Sequence, residues 1–134
     1  MAKIQFFRGD DQPYHRSKDV VPSELAAKLS GDELESRSRT HHPGSDELPQ
    51  LFEVVAIPDA VFHAHSHDVD EIILVADGEL RAGSQVLRPG ESMFIPGGTL
   101  YSFRAGPEGL RFFNFRPRAD HTHRNAAETR AQHA

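Results

Sequence analysis

With 134 residues, the chain is long enough for one domain with a hydrophobic core and too short for two. Its 15 basic and 20 acidic residues give a formal charge of −5, which argues against nucleic acid or an anionic membrane as the main partner. It has no cysteine, which excludes thiolate metal ligands. The first residues lack the apolar segment of a secretory signal and no run reaches transmembrane length, so we expect a cytoplasmic protein.

Residues 1–49 are predicted to form an extension ahead of the main fold. A helix at about 22–29 is indicated by Pro22 near its first turn and Gly31 beyond its end. A strand is expected at about 33–40, because small or apolar side chains alternate there with charged ones. A polar, proline-containing loop is expected from there to the end of the extension.

Residues 50–117 carry many short apolar runs separated by glycine and proline. This pattern is typical of an all-β sandwich or barrel. Residues 118–134 are polar and alanine-rich, which predicts a frayed tail or a weak terminal helix. His121 and His123 repeat a His-x-His spacing in this tail. Without a flanking strand pattern or a matching carboxylate, that spacing is weak evidence for a ligand site.

The most informative stretch of the chain holds two histidines and a glutamate. His65 and His67 are one residue apart, so on a β-strand both imidazoles lie on the same face. Glu71 follows four positions after His67 and can return to that face after a short turn. Two neutral imidazoles and one carboxylate suit Fe(II), Mn(II), Ni(II), Cu(II) or Zn(II). We therefore predict a divalent transition-metal site with His65, His67 and Glu71 as its ligands.

The spacing of these residues is similar to a known family signature. The first motif of the cupin superfamily is matched by His65-x-His67-(x)3-Glu71-(x)6-Gly78. The second cupin motif, Gly-(x)5-Pro-x-Gly-(x)2-His, is matched except at its last position by Gly90-(x)5-Pro96-x-Gly98-(x)2-Tyr101. Two spaced motifs in the right order are more specific than either alone, and the resemblance extends over roughly residues 50–117.

The resemblance implies an all-β fold, the double-stranded β-helix or jelly-roll cupin barrel, with a short N-terminal helix outside it and the site in the barrel mouth. It also implies a metal-dependent enzyme that acts on a small oxygen-bearing organic molecule. Dioxygenase chemistry with Fe(II) comes first, and isomerase or lyase chemistry follows closely. A non-catalytic cupin that binds a small ligand or a metal is an alternative, as is a structural cupin without metal, because fold analogy is a weak warrant for reaction type.

Three further residues are candidates for the site. Tyr101 stands where the family has its usual fourth histidine ligand. It could bind the metal as a phenolate, act as an acid or hydrogen-bond donor to substrate, or fill space in a metal-free relative. His63 continues the alternation of His65 and His67 and could supply the missing ligand or only line the cavity. Phe103 shares the face of Tyr101 and is a candidate for the substrate pocket.

The segment 71–76 is apolar on both faces, although a sandwich strand needs only one buried face. The second face must therefore be covered by the N-terminal helix or by another subunit. Cupins are often dimers through such a sheet face, and the resemblance thus implies a homodimer. The expected partners are a small molecule and a second copy of the chain.

Overall fold

The structure is a computed structural model and describes residues 3–133. A single 3₁₀ turn at Gly9–Asp11 precedes the regular elements. The strands are β1 (His15–Arg16), β2 (Arg37–His42), β3 (Gln50–Ala56), β4 (Val61–Ser66), β5 (Glu71–Ala82), β6 (Gln85–Leu87), β7 (Ser92–Ile95), β8 (Tyr101–Arg116) and β9 (Arg124–Asn125). The helices are α1 (Ser17–Val20), α2 (Ser23–Ala26), α3 (Gly31–Glu35) and α4 (Ala126–Gln132).

The long strand β8 organises the sheet. One of its edges pairs with β3 and β4 and the other pairs with β5, in every case antiparallel. Beyond β3 the sheet continues through β2 to β1, while β9 pairs with β4, and β5 also pairs with β6 and β7. The predicted all-β architecture is confirmed, although the short runs expected around β5 and β8 merge there into strands of 12 and 16 residues.

The hydrophobic core fills the space between the inward faces of these strands. Its residues alternate along each strand with side chains that point outward, as the period of a β-strand requires. The buried cluster is contributed mainly by β3, β4, β5 and β8 and consists of Val54, Ala56, Ala60, Phe62, Ile73, Val75, Leu80, Ile95, Phe103, Ala105, Leu110 and Phe112. One end of this core opens into the cavity described below.

The N-terminal extension differs from its prediction in two places. The helix expected at 22–29 is shorter, since α2 covers only Ser23–Ala26 and is followed by a turn. The strand expected at 33–40 is wrong over its first residues, because Gly31–Glu35 form α3 and the strand covers Arg37–His42. The reason is a capping box at Ser30, whose side chain accepts the backbone N–H of Glu33.

The C-terminal segment holds an ordered helix, α4, of seven residues. Asn125 caps this helix by accepting the backbone N–H of Glu128. The helix lies against β4, where the hydroxyls of Thr129 and Ser66 are 2.6 Å apart. No helix between residues 3 and 133 is long and apolar enough to cross a membrane.

Gly78 is expected to be essential for the close crossing of β5 and β8. It has a φ of +77°, and a Cβ there would lie 2.1 Å from the carbonyl oxygen of Gly109. Gly78→Ala should therefore destabilise the fold by about 2–4 kcal/mol, through backbone strain together with a clash against main chain. Gly83→Ala is the matched control, because Gly83 also has a positive φ but nothing lies within 4 Å of its added Cβ. Chemical denaturation should give a loss of only about 1 kcal/mol for that variant, and equal losses would contradict the prediction.

Candidate functional site

A cavity of about 510 Å³ opens at one end of the barrel. Most of its wall is apolar and aromatic, and the rings of Phe62 and Phe103 stack there with centroids 4.3 Å apart. The apolar lining from the strands consists of Phe52, Val54, Phe62, Ile73, Phe103 and Phe112, and the N-terminal segment adds Pro22, Leu25 and Leu29. Phe103 therefore lies where the sequence predicted, in the wall of a pocket beside Tyr101.

His65 and His67 are both buried in the wall of this cavity, with 6% and 8% of their surfaces exposed. The Nδ1 atom of His65 lies 2.7 Å from the carbonyl oxygen of His63, to which it must donate. The Nδ1 atom of His67 lies 2.7 Å from Asp120 Oδ2 and 2.5 Å from the carbonyl oxygen of Thr122. Since Nδ1 carries the hydrogen in each case, the neutral rings have free lone pairs on Nε2.

The charge state of His65 follows from its surroundings. Burial, together with the neighbouring His67 and Arg116, lowers the pKa of His65 to about 4, although the hydrogen bond to the His63 carbonyl and the Glu71 charge act to raise it. His65 is therefore a neutral imidazole at pH 7. A neutral imidazole with Nδ1 held by an acceptor is the form that binds a metal ion through Nε2.

Glu71 lies at the point towards which both imidazoles are turned. Its carboxylate is 1% exposed, accepts a 2.8 Å hydrogen bond from Asn114 Nδ2, and accepts hydrogen bonds of 3.1 and 3.2 Å from the Tyr101 hydroxyl. Its Oε1 atom is 3.4 Å from His67 Nε2, and its Oε2 atom is 3.7 Å from Arg116 Nη2. Glu71 is thus the centre of a connected polar cluster inside an otherwise apolar barrel.

Tyr101 joins His65 to Glu71. Its hydroxyl is 3.1 Å from His65 Nε2 while it also contacts both carboxylate oxygens of Glu71. Burial raises the pKa of Tyr101 well above its ordinary value, and the adjacent Glu71 charge raises it further. In this arrangement Tyr101 is a protonated phenol whose hydroxyl donates a hydrogen bond to Glu71.

His63 does not join this cluster. Between the pairs Phe62–Phe103 and His65–Tyr101, β4 has one residue more than β8, which is a β-bulge. The bulge breaks the alternation, so Phe62 and His65 both face the cavity while the His63 side chain is exposed. The expectation that His63 would line the cavity with His65 and His67 is therefore wrong.

The fold itself matches several solved structures. KdgF from Halomonas sp. is 21% identical with a TM-score of 0.63, and the match covers 87% of this chain and 96% of that one. The polyketide cyclase RemF from Streptomyces resistomycificus is 22% identical with a TM-score of 0.65, covering 94% and 85%. An RmlC-like cupin from Ralstonia eutropha JMP134 is 12% identical with a TM-score of 0.69, covering 97% and 84%.

The chain has the cupin fold. At these identities the likeness concerns the fold alone, and it confirms the resemblance that the two motifs indicated. No family model matches the sequence, and no curated protein matches it.

Two polar residues of the site lie on β8 and were not predicted. Asn114 and Arg116 share a strand face with the core residue Phe112, and both line the cavity. They are 3% and 9% exposed. Their signal was present in the sequence, because polar side chains at two successive inward positions interrupt a strand whose inward face is otherwise apolar.

The C-terminal segment contributes two further residues to the site, Asp120 and His123. Asp120 holds His67, as described, and the hydrogen bonds that it accepts from His67 and Thr122 keep the pKa of its carboxyl at about 2 although burial alone would raise it. The ring of His123 stacks on that of His65 with centroids 4.6 Å apart and an interplanar angle of 4°. In the sequence, the spacing of His121 and His123 is only weak evidence for a ligand site, because no matching carboxylate lies nearby. Long-range folding nevertheless brings His123 against His65.

The imidazoles of His65 and His67 and the carboxylate of Glu71 are donors of the kind that a divalent metal ion prefers. His67 Nε2 and Glu71 Oε1 are 3.4 Å apart, the separation of two ligands about 2.1 Å from one ion at a tetrahedral angle. Within residues 3–133 no three such side chains are already assembled around one point. The reason is that the Tyr101 hydroxyl stands between His65 Nε2 and Glu71.

Proposed function

We propose that this cupin is a metal-dependent enzyme acting on a small oxygen-bearing organic molecule, with His65, His67 and Glu71 as metal ligands. The observation that carries the proposal is the orientation of the two imidazoles. Each has its Nδ1 bonded away from the cluster and its Nε2 turned towards Glu71 or Tyr101. Fe(II) is the ion we propose first, and Mn, Ni, Zn or Cu would use the same donors.

The metal, when bound, would supply Lewis-acid polarisation of a substrate oxygen or a binding position for O₂. The other tasks fall to side chains of the chain itself. Asp120 fixes the ring of His67, and Asn114 fixes the carboxylate of Glu71. The apolar walls exclude water, which strengthens the electrostatic interactions within the site. Tyr101 holds a proton that it can deliver to a substrate oxygen.

Proton transfer is the reaction class that this geometry favours, as in an isomerase, lyase or cyclase. The protonated Tyr101 hydroxyl contacts a carboxylate and an imidazole, both of which can exchange a proton with it. Dioxygenase chemistry is the second candidate. It is favoured by the fact that two imidazoles and one carboxylate would leave coordination positions open for O₂ and substrate.

The two candidates differ in their use of oxygen. We would incubate the metal-loaded protein with small diols, phenols and keto acids in D₂O, following hydrogen exchange by NMR and oxygen uptake with an electrode. Proton transfer predicts exchange or isomerisation without oxygen uptake, and dioxygenase chemistry predicts stoichiometric uptake. Ligand binding without any turnover would instead identify a non-catalytic cupin.

The role of Tyr101 can be tested in the same assay. Tyr101→Phe should lower turnover by about 10²- to 10⁴-fold while the metal content is unchanged, since it removes only the hydroxyl. Tyr14→Phe is the matched control, because Tyr14 bonds Glu53 and does not line the cavity. Full activity in Tyr101→Phe would contradict a proton-carrying role.

We further propose that the protein is a homodimer. Ile72, Leu74, Phe94 and Phe115 are 38–61% exposed on neighbouring strands β5, β7 and β8, where Ile72 pairs with both Phe94 and Phe115. A contiguous apolar patch of this kind is typical of a protein interface. This patch is the uncovered second face of the segment 71–76 that the sequence predicted.

Replacing Phe94 with a charged residue should disrupt the dimer. Phe94→Glu places a carboxylate in the middle of the patch and should convert a dimer of about 30 kDa into the 14.9 kDa monomer in light scattering after gel filtration. Leu48→Glu is the control, because Leu48 is 60% exposed and is not in the patch. A wild-type protein that is monomeric at high micromolar concentration would contradict the proposal.

A further inference from the structure

Three buried polar atoms in this cupin have no hydrogen-bond partner. They are Asn114 Oδ1, Arg116 Nε and His123 Nδ1, and within residues 3–133 no other buried side-chain nitrogen or oxygen is in this condition. All three residues line the same cavity. Because buried polar groups in folded proteins are nearly always paired, a concentration of orphaned atoms in one cavity indicates groups that a ligand pairs.

Arg116 presents an unused edge of its guanidinium to the cavity. Its Nη1 donates to Gln50 Oε1 at 3.2 Å, and its Cζ lies 4.9 Å from the ring centroid of Phe52. Nη2 has a long 3.4 Å contact to His67 Nε2 and lies 3.7 Å from Glu71 Oε2, and Nε has no hydrogen-bond partner. Nε–H and Nη2–H lie on one edge of the guanidinium and form the fork that binds a carboxylate through two parallel hydrogen bonds. A cation on His67 Nε2 would also remove the acceptor of the long contact.

Asn114 presents an acceptor close to that fork. Its Nδ2 donates to Glu71 Oε2 at 2.8 Å, and Arg116 Nη2 is 3.7 Å from the same oxygen, so the two side-chain tips converge. The Asn114 Oδ1 atom needs a hydrogen-bond donor, such as a hydroxyl. One small molecule with a carboxylate and an adjacent hydroxyl can therefore satisfy both residues at once.

The charges of the site favour an anion once a metal is bound. Glu71 and Asp120 as carboxylates outweigh Arg116 by one negative charge, and the cavity-lining Glu24 and Lys28 offset each other. A divalent cation then leaves one net positive charge before Glu33 is counted. Glu33 also lines the cavity, where its carboxylate accepts the backbone N–H groups of His63 and Ser30. Burial raises the pKa of Glu33, which reduces its repulsion of an anionic ligand.

We propose that this site takes a small 2-hydroxycarboxylate with an apolar body. The carboxylate binds the Nε–Nη2 edge of Arg116, and the 2-hydroxyl donates to Asn114 Oδ1. The apolar body packs against the aromatic wall at Phe62 and Phe103. The inference deepens the proposed function and rests on it, because the metal at His65, His67 and Glu71 supplies the charge that makes anion binding favourable.

The test is calorimetric titration of zinc-loaded protein with mandelate, a 2-hydroxycarboxylate with an aromatic body. Mandelamide, which lacks the negative charge, should bind about 10- to 100-fold more weakly, because the Arg116 fork then loses its charged partner. Phenylacetate, which lacks the hydroxyl, should bind about 5- to 30-fold more weakly, because Asn114 Oδ1 stays unpaired. Zinc is used because it has no redox chemistry.

Variants of Arg116 and of the control residue Arg118 complete the experiment. Arg116→Gln should weaken mandelate binding about 10- to 100-fold, and Arg116→Lys should not restore it because lysine lacks the fork. Arg118→Gln should bind like the wild type, since Arg118 is exposed and lies outside the cavity lining. Equal affinities for mandelate and mandelamide would overturn the inference. So would the absence of any binding of mandelate, phenyllactate or lactate below about 10 mM.

Elemental analysis of the same samples keeps the two proposals apart. Wild type that retains zinc but binds no carboxylate would overturn the inference and leave the metal proposal standing. Wild type that takes up no zinc would overturn the metal proposal, and titration of that metal-free protein would then decide the inference. Mandelate binding that is lost in Arg116→Gln would support the 2-hydroxycarboxylate inference. The absence of mandelate binding would overturn that inference.

Discussion

His67→Ala is expected to abolish stable metal binding, whereas His63→Ala leaves it intact. Untagged protein loaded anaerobically with Fe(II), or in air with Zn(II), should retain about one equivalent per chain after gel filtration. Removal of the His67 ring takes away one of the three proposed metal ligands and also the contact between His67 and Asp120. Metal binding should therefore weaken by at least about 100-fold. Elemental analysis of the filtered protein measures the result directly.

His63→Ala is the matched control for the metal content of His67→Ala. It changes the same residue type four positions earlier in the same segment, and it keeps the His63 carbonyl that accepts from His65. Because the His63 side chain is exposed, its loss should not alter the site. Equal metal contents in the two variants would contradict the assignment of His67 as a ligand. Loss of metal in His63→Ala alone would place the site on the wrong face of β4.

The sequence predicted the cluster of His65, His67 and Glu71 because the information is local. His65 lies near the end of β4, His67 immediately follows that strand and Glu71 begins β5, so a single short connection fixes their approach. The Tyr101 position followed from a second motif of fixed spacing. These predictions needed only strand alternation and motif order, which are properties of short segments.

The rest of the site depends on interactions that short segments do not encode. The β4 bulge turns His63 outward, and a one-residue insertion of this kind leaves no signature in the alternation of the neighbouring residues. His123 and Asp120 reach the site only because α4 and β9 dock on β4, 53 or more residues away along the chain. The composition of residues 118–134 indicated a frayed tail or a weak terminal helix, and it gave no sign that this segment contacts the site.

The N-terminal extension is a contrasting case, since a local signal was present there. Ser30 and Glu33 have the spacing of a capping box, which starts a helix at the place where alternation favoured a strand. The extension also covers the outer face of β3. It buries Glu53, which points away from the cavity-lining Phe52 and Val54.

Glu53 is the centre of a second polar cluster, remote from the metal ligands. Its carboxylate is 1% exposed and accepts hydrogen bonds from Arg39 at 3.0 Å, His41 at 2.8 Å, Arg111 at 3.2 Å, and the Tyr14 hydroxyl. Burial alone would raise its pKa, but these hydrogen bonds outweigh burial and hold the pKa of Glu53 at about 2. The cluster therefore connects Tyr14 and β2, both in the N-terminal extension, to β3 and β8.

Glu53→Gln should destabilise the protein by about 3 kcal/mol at pH 7, because Arg39 and Arg111 lose the carboxylate that compensates them. The folded-state pKa lies below the unfolded value, so the wild-type advantage is fully present above about pH 4.5 and is lost as the pH falls towards 2. Urea denaturation of both proteins at pH 7 and near pH 2.5 measures the difference. Glu79→Gln is the control, since its half-exposed pair with Arg81 should be worth less than about 0.5 kcal/mol. A Glu53→Gln deficit that stays constant down to pH 2.5 would mean that packing, and not the carboxylate charge, holds the extension in place.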